Sequence, residues 1–512
     1  MIFFPGDDGN ALLNILSADS WHDVFDGKVS FRQNRIYYPF PYGRSFTDLS
    51  LSLYLLAIPW KLLKCDTFSS VLAVYITLYT FGFFSMFYLN RKICNFSLPA
   101  SLCGTAFPFF SSAYFVKLAH TQFFFMSLLP LLAICVIRSG ENWIERNPVK
   151  LILWTTGVSA VFSCIALSNY YTAFFAGIFS LLCLIIAAAN KDFRKHISSE
   201  AIRQRMPETT ASVLLFLLMM SPFLYIYYPA MGDSYSRNWE AAQGTLPVLS
   251  DIANIGKNNL LWGKLYDLFF PPIHKHVYEN CYGLPPLTLL ATVILSVIYW
   301  KNKKFHTAWI SILWLSLALM YLLSLKVWHG ISLWYFVWKY FPGGSAIRAG
   351  GRIYVFMIFP LAVFMAYMID KISVFKSKGI KICTLSVVLV LFAADNHSGF
   401  DLFKWSCSGI RERIAKIPAP PAEIKVFYIT DSRGGAPSEA NWGKYGMAAW
   451  LIARHHQIFS INGCSGNAPL NFYALDPLAS DYRQAVIKWI QDNGLKNVGH
   501  FDTATNSWHL EQ

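Results

Sequence analysis

Long apolar stretches recur through residues 69–395, near 69–90, 98–116, 121–138, 150–168, 171–189, 211–229, 285–300, 306–325, 353–370 and 379–395. A helix needs roughly 17–25 apolar residues to cross the hydrocarbon core of a bilayer. Lipid offers no water to backbone N–H and C=O groups, so a crossing chain must satisfy them internally, as a helix does. The pattern predicts an α-helical polytopic membrane protein with about ten transmembrane helices. Composition agrees, with 55% hydrophobic and only 14% charged residues, well away from soluble globular chains. The 42 phenylalanines suit lipid-facing and helix-packing surfaces.

The formal net charge is +14. A basic chain first invites nucleic-acid binding, but here Lys and Arg fall in short clusters between apolar runs, so no nucleic acid is expected as a partner. One set of connections holds Arg91 and Lys92; Arg138, Arg146 and Lys150; Lys191, Arg194, Lys195, Arg203 and Arg205; Lys301, Lys303 and Lys304; and Lys371, Lys376, Lys378 and Lys381. The alternate connections carry few positives. By the positive-inside rule the first set is cytoplasmic. Residues 1–68 then lie outside, and the apolar stretch 47–64, with Asp48, Pro59, Lys61 and Lys64, is expected at the outer surface. The alternative, a crossing at 47–64, would put the N-terminus inside. The chain divides accordingly into a first extracytoplasmic loop with surface helices (1–68), a helical bundle (69–395) with outer loops 230–284 and 326–352, and a tail (396–512).

The tail changes character. Pro418-Ala419-Pro420-Pro421 reads as a linker, Val426-Phe427-Tyr428-Ile429 as a strand, and 478–493 as an amphipathic helix stopping at Asn493-Gly494. A small extracytoplasmic α/β domain is expected. Cys103, Cys135, Cys164, Cys183 and Cys383 fall in apolar runs and read as small core residues. No Cys/His cluster has metal spacing. A disulfide among Cys281, Cys407 and Cys464 stays open.

Several polar groups stand out against this background. Acids are scarce, 29 Asp and Glu in all, yet Pro5-Gly6-Asp7-Asp8-Gly9-Asn10 holds two adjacent carboxylates. They are either solvated turn residues or acids working at the membrane face. Arg348 and Arg352 lie on the outer side against the charge trend, as do Arg44 and Lys117. Arginine's donor fork matches phosphate oxygens, and it equally serves as a headgroup anchor. His120 and Gln122 open an apolar stretch, and Asn169, Tyr170 and Tyr171 open another; polar groups at such places face cavities or cap helices. His274 and His276, in the loop 230–284, show no partner ligands and read as loop residues, and that loop reads as a lid. Asn462-Gly463-Cys464-Ser465-Gly466-Asn467-Ala468-Pro469 is turn chemistry.

In order and spacing these pieces resemble the GT-C superfamily of membrane glycosyltransferases. The resemblance rests on Pro5-Gly6-Asp7, Asn14, Tyr37-Tyr38-Pro39 and the 47–64 helix; on Ala119-His120-Thr121-Gln122 ahead of Leu129-Pro130-Leu131; on Ser168-Asn169-Tyr170-Tyr171; and on Phe341-Pro342-Gly343-Gly344-Ser345-Ala346-Ile347-Arg348 continuing to Gly351-Arg352. The segment 462–469 is similar to one in uncharacterised bacterial members. The resemblance covers nearly the whole chain. It implies a leading transmembrane helix, expected to be missing here, and in some relatives a second acid where Asn10 stands.

It further implies an inverting glycosyltransferase, moving a hexosyl or pentosyl group from a polyprenyl-phosphate donor to a cell-envelope glycan or lipid at the outer face of a bacterial inner membrane. Asp7 or Asp8 would be the catalytic base. Arg348, Arg352, Lys117 and Arg44 would hold the donor phosphate. Asn14, His120, Gln122, Asn169 and Tyr170 would bind substrate. No cofactor is expected. Mg²⁺ or Mn²⁺ on Asp7 and Asp8 is a less favoured reading, since adjacent residues rarely both reach one ion. Two other readings are a transporter or flippase for a lipid-linked glycan, against which stands the lack of an internal repeat, and a non-catalytic membrane scaffold.

Overall fold

The computed structural model describes residues 3–5, 9–196, 199–231, 238–256, 258–269, 281–372, 378–399, 405–466, 468–469, 472 and 476–511. Helices dominate it, with a small sheet near the C-terminus. Among the described residues, six helices are long and apolar enough to cross a membrane: Thr67–Ile93, Thr121–Glu145, Pro148–Ala166, Tyr170–Ala189, Met206–Tyr227 and Gly350–Ile372. The chain is thus a helical polytopic membrane protein. Side-chain caps start several of these helices. Asp66 accepts from Phe68 N and Ser69 N, Asn147 from Lys150 N, and Asn169 from Thr172 N, each taking up donors that have no partner within the helix.

These six helices match six of the ten expected stretches, and 98–116, 285–300 and 306–325 fall on shorter helices. Pro286–Lys301 has 16 residues and Ala308–Ser324 has 17, which at ~1.5 Å per residue is about 25 Å, short of a ~30 Å core. The stretch 98–116 is two helices, Leu98–Phe109 and Ser112–Lys117. Pro108 has no N–H to continue the first, and Ser111 caps the second by accepting from Tyr114 N at 3.3 Å. The stretch 47–64 forms a 12-residue helix, Leu51–Leu62.

The two ends of the bundle differ. At one end Phe96, Tyr299, Phe305 and Tyr367 form a separate apolar cluster, with Ser97 N bonded to Asp370 Oδ1 at 2.7 Å and Tyr367 OH to Phe305 O at 2.8 Å. Arg91, Lys301, Lys303, Lys304 and Lys371 flank this end in sequence. Helices approach closely where glycine allows it. A Cβ on Gly104 would come within 2.6 Å of Ala366 Cβ, and one on Gly82 would strike Ser127.

Asp395 joins elements at the other end. It is fully buried and accepts from Trp262 Nε1 (2.8 Å), Leu287 N (3.2 Å), Thr288 N (2.8 Å) and Thr288 Oγ1 (2.7 Å). Removing the carboxylate strands all of these donors. Asp395→Ala is therefore expected to lose on the order of 3–5 kcal/mol, read as a lowered midpoint for thermal unfolding in detergent. Asp395→Asn, which keeps one acceptor oxygen, is expected to lose less.

The tail folds as a sheet with helices. Strands β1 (Phe3–Phe4) and β2 (Trp405–Ser406) pair antiparallel. Strands β3 (Val426–Thr430), β4 (Phe459–Ser460), β5 (Val498–Asp502) and β6 (Ser507–Leu510) form a sheet in the order β4-β3-β5-β6, with β3 parallel to β4 and β5, and β6 antiparallel to β5. A central parallel strand is covered on both faces, which explains the unbroken run Val-Phe-Tyr-Ile. Phe427 and Ile429 pack with Tyr445, Ala449 and Ile452 of the Glu439–His456 helix. Val426 and Tyr428 join the main core instead.

That other face is closed by the first segment of the chain. Ser460 N donates to Arg35 O (2.8 Å) and Tyr38 N to Ser460 O (3.0 Å), so residues 35–38 cover the edge at β4. Trp489 Nε1 donates to Tyr38 O at 2.9 Å, and Tyr37 OH meets Ser465 Oγ at 2.9 Å. A Cβ on Gly463 would lie 2.5 Å from the Tyr37 ring. The two motifs 37–39 and 462–469 thus meet each other. Cys281, Cys407 and Cys464 are all free, so the open disulfide is not formed.

Candidate functional site

Asp7 and Asp8 lie outside the described residues, as do His274, His276 and Asn467. The chain around the two acids is fixed on either side. Phe4 is fully buried, its ring 5.9 Å from Tyr75, and the helix Asn10–Asp19 begins just beyond Gly9.

On the buried face of that helix Asn14 meets the next motif. Its Nδ2 donates to Gln122 Oε1 (2.9 Å), Thr121 Oγ1 (3.2 Å) and Asn10 O (2.9 Å). Its Oδ1 is buried and accepts nothing among the described residues. Tyr75 OH donates to Thr121 Oγ1 at 3.1 Å, and Asn169 Nδ2 to Gln122 O at 3.0 Å. Asn14, Gln122 and Asn169, far apart in sequence, therefore form one polar seam. Thr121–Leu128 runs as a 3₁₀ helix before the α-helix starting at Leu129. Pro130, with no N–H to offer Met126, sits at the change of pitch.

His120, one residue before the seam, reaches the arginine motif. Arg352 Nη2 approaches His120 Nε2 at 3.4 Å; for His120 to accept there, its proton must sit on Nδ1. The Arg352 guanidinium lies over Tyr171 (5.0 Å) and Phe123 (5.4 Å) and is buried. Lys117 is buried too. It acts with Asp251 on Cys281, whose thiol burial pushes up to about 11, with Lys117 pulling it down and Asp251 up. The aromatic walls around Arg352 place its charge in a low-dielectric region.

Tyr170 and Tyr171 hold the glycine-rich loop. Tyr170 OH donates to Gly343 O (2.8 Å), while Tyr171 OH accepts from Arg348 N (3.1 Å) and Ala349 N (3.3 Å). Gly343 has φ +79°, and a Cβ there would strike the Tyr170 hydroxyl, so both conformation and space require glycine. A Cβ on Gly351 would likewise fall against the Tyr282 ring.

Tyr282 leads to an apolar cavity. A slot of about 590 Å³ runs along Pro286–Lys301, Ala308–Ser324 and Ile353–Ile372, lined almost wholly by apolar side chains. Tyr282, Tyr321 and Tyr354 line one end and Trp300, Lys301 and Trp314 the other. The tyrosine end therefore adjoins Gly351-Arg352.

Other expected residues go elsewhere. Arg44 is buried, donates to Ser20 Oγ (2.6 Å), Ser20 O (3.3 Å) and Gln33 O (3.1 Å), and stacks on Trp21 at 4.0 Å. Burial pulls its pKa down to about 9, against Asp23, so it is still a cation at neutral pH. Its hydrogen bonds organise the first segment. The Arg348 side chain is exposed. Its backbone is fixed by Tyr171 and by Thr245, whose hydroxyl donates to Arg348 O.

The sequence reading missed Tyr75, Asp251 and Tyr282. Each sits in or beside apolar sequence with no local signal; only a phenol or carboxylate among apolar neighbours marked them. Among the described residues no group of three or more His, Cys, Asp or Glu side chains could hold a metal ion. No protein-family model matches the chain, and no curated protein matches it either.

Proposed function

We propose that this chain is an inverting glycosyltransferase that uses a polyprenyl-phosphate sugar at the outer face of a bacterial inner membrane. One observation carries the reading. A buried arginine, Arg352, stands beside His120, and Tyr282, which lies against the neighbouring Gly351, lines one end of a long apolar slot. A lipid phosphate has the same two-part shape, an anionic head on an apolar tail. Arg352 and Lys117 would take the phosphate, and the slot part of the tail.

The chemistry follows from those positions. A carboxylate at Asp7 or Asp8 takes the proton of the acceptor hydroxyl. The acceptor oxygen attacks the sugar's anomeric carbon opposite the phosphate, the carbon–oxygen bond to phosphate breaks, and polyprenyl phosphate leaves with the bonding pair. Arg352 and Lys117 stabilise the charge growing on that leaving group. Asn14 Oδ1 is available to accept from a sugar hydroxyl, with Gln122 and Asn169 holding the Asn14 amide in place. On this reading there are about ten crossings, the shorter apolar helices spanning where the bilayer thins to meet them, which would put the 396–512 domain outside.

Asp7→Asn and Asp8→Asn separate the roles of the paired acids. Loss of sugar transfer by about 10²–10⁴-fold in one of them, with normal expression, is the expected result for a general base. Unchanged transfer in both would remove the base assignment.

A further inference from the structure

We propose that the segment 327–341, between the helices Ala308–Ser324 and Gly350–Ile372, is a membrane-interface anchor whose exposed side chains lie in the lipid headgroup layer. The proposal does not depend on the glycosyltransferase reading.

The segment has two unlike faces. Towards the protein, Trp334 is fully buried, and Val337 and Ser332 nearly so. Gln243 Nε2 donates to Gly330 O at 2.8 Å, Lys326 N to Pro247 O at 2.7 Å and Lys326 Nζ to Gln243 O at 3.2 Å. The backbone is thus firmly held. Away from the protein it exposes Ile331 (63%), Leu333 (53%), Phe336 (59%) and Tyr340 (68%), with Trp328 and Val327 beside them. So many large apolar side chains on one short segment exceed what a water-facing loop presents.

The occupant follows from composition and place. Trp and Tyr concentrate where bilayer meets water, because their rings are apolar and their tips polar. Here they mix with aliphatic residues, and Lys339 spans the Tyr335 and Tyr340 rings at 5.5 and 5.3 Å, a cation set to meet phosphate headgroups. The segment is continuous with apolar helices on both sides, so its height is tied to theirs. Water on this face would leave the apolar side chains unburied. A glycan would use the rings but not Ile331 or Leu333.

Photo-crosslinking tests this on the full chain in nanodiscs of phosphatidylethanolamine and phosphatidylglycerol. p-Benzoylphenylalanine replaces Ile331 or Phe336 singly. Leu218, 68% exposed on the Met206–Tyr227 helix, is the lipid-facing reference, and Leu510, 51% exposed on β6, the water-facing one. The expected result is a mass increase of one phospholipid at 331, 336 and 218, and none at 510. Phospholipid adducts at 218 but at neither 331 nor 336 would overturn the proposal. So would adducts at 331 and 336 to a second copy of the chain rather than to lipid.

Discussion

Arg352→Gln is expected to lower kcat/KM for sugar transfer by about 10²–10³-fold, the effect of removing one preorganised donor from a developing oxyanion. That corresponds to ~3–4 kcal/mol of transition-state stabilisation. The large effect comes from burial. The guanidinium is walled by Tyr171 and Phe123 and paired with His120, away from bulk water. Arg352→Lys keeps the charge but loses the planar fork, and a loss near tenfold is expected. Arg348→Gln, at an exposed side chain, is expected to change transfer only a few-fold. Steady-state assays of the three variants at matched expression check this ranking. Equal losses at positions 348 and 352 would contradict it.

The second large effect lies where the tail meets the first segment. Arg454 donates from Nε to Asp19 Oδ2 (2.7 Å) and from Nη1 to Asp23 Oδ1 (2.8 Å). Arg35 Nε donates to Asp23 Oδ2 at 2.6 Å, and Lys61 Nζ to Asp19 Oδ1 at 2.9 Å. Asp23 is almost completely buried. Arg454→Ala strips one partner from each acid, and breaking such a buried pair costs about 3–5 kcal/mol. The tail should then become sensitive to proteolysis while the membrane helices stay intact. Acid should act on the same cluster. Burial pushes the Asp19 carboxyl up, but Arg454 and Lys61 together outweigh it and hold the group below the ordinary 3.8. The unfolded chain therefore binds the proton first as pH falls. The stabilisation is fully present above 3.8 and is lost as pH drops through the lower folded value. Wild-type thermal stability should fall below about pH 4, and Arg454→Ala should flatten that fall. An unchanged acid profile would show that these charges do not hold the tail.

How much of this was legible in the chain depends on which forces act locally. Apolar run length foretold the helices, because burial and backbone pairing in lipid are local demands. Helix length was less legible, since it depends on where Pro108 and the caps fall, and apolar character extends past the helix ends. His120, Gln122 and Asn169 were legible as polar residues opening apolar stretches, Arg352 as a cation against the charge trend and Asn14 through the family resemblance; Asn14, Gln122 and Asn169 meet in one seam, and His120 meets Arg352. Arg44 carried a similar mark, and its guanidinium bonds within the first segment. Its role depends on carbonyls at Ser20 and Gln33, presented only after the first segment folds. Tyr37 and Ser465 were likewise read in separate motifs. Their contact spans most of the chain, and no periodicity encodes a pairing across that distance.

The central claim is that sugar leaves a polyprenyl phosphate in this protein. Its most direct measurement uses purified protein in liposomes, with a polyprenyl-phosphate sugar labelled in the sugar and an extract of cell-envelope glycans and lipids outside. The account predicts that label moves to an acceptor and that an equal amount of polyprenyl phosphate appears. Intact labelled donor crossing the bilayer with no polyprenyl phosphate released would contradict it and identify a transporter instead.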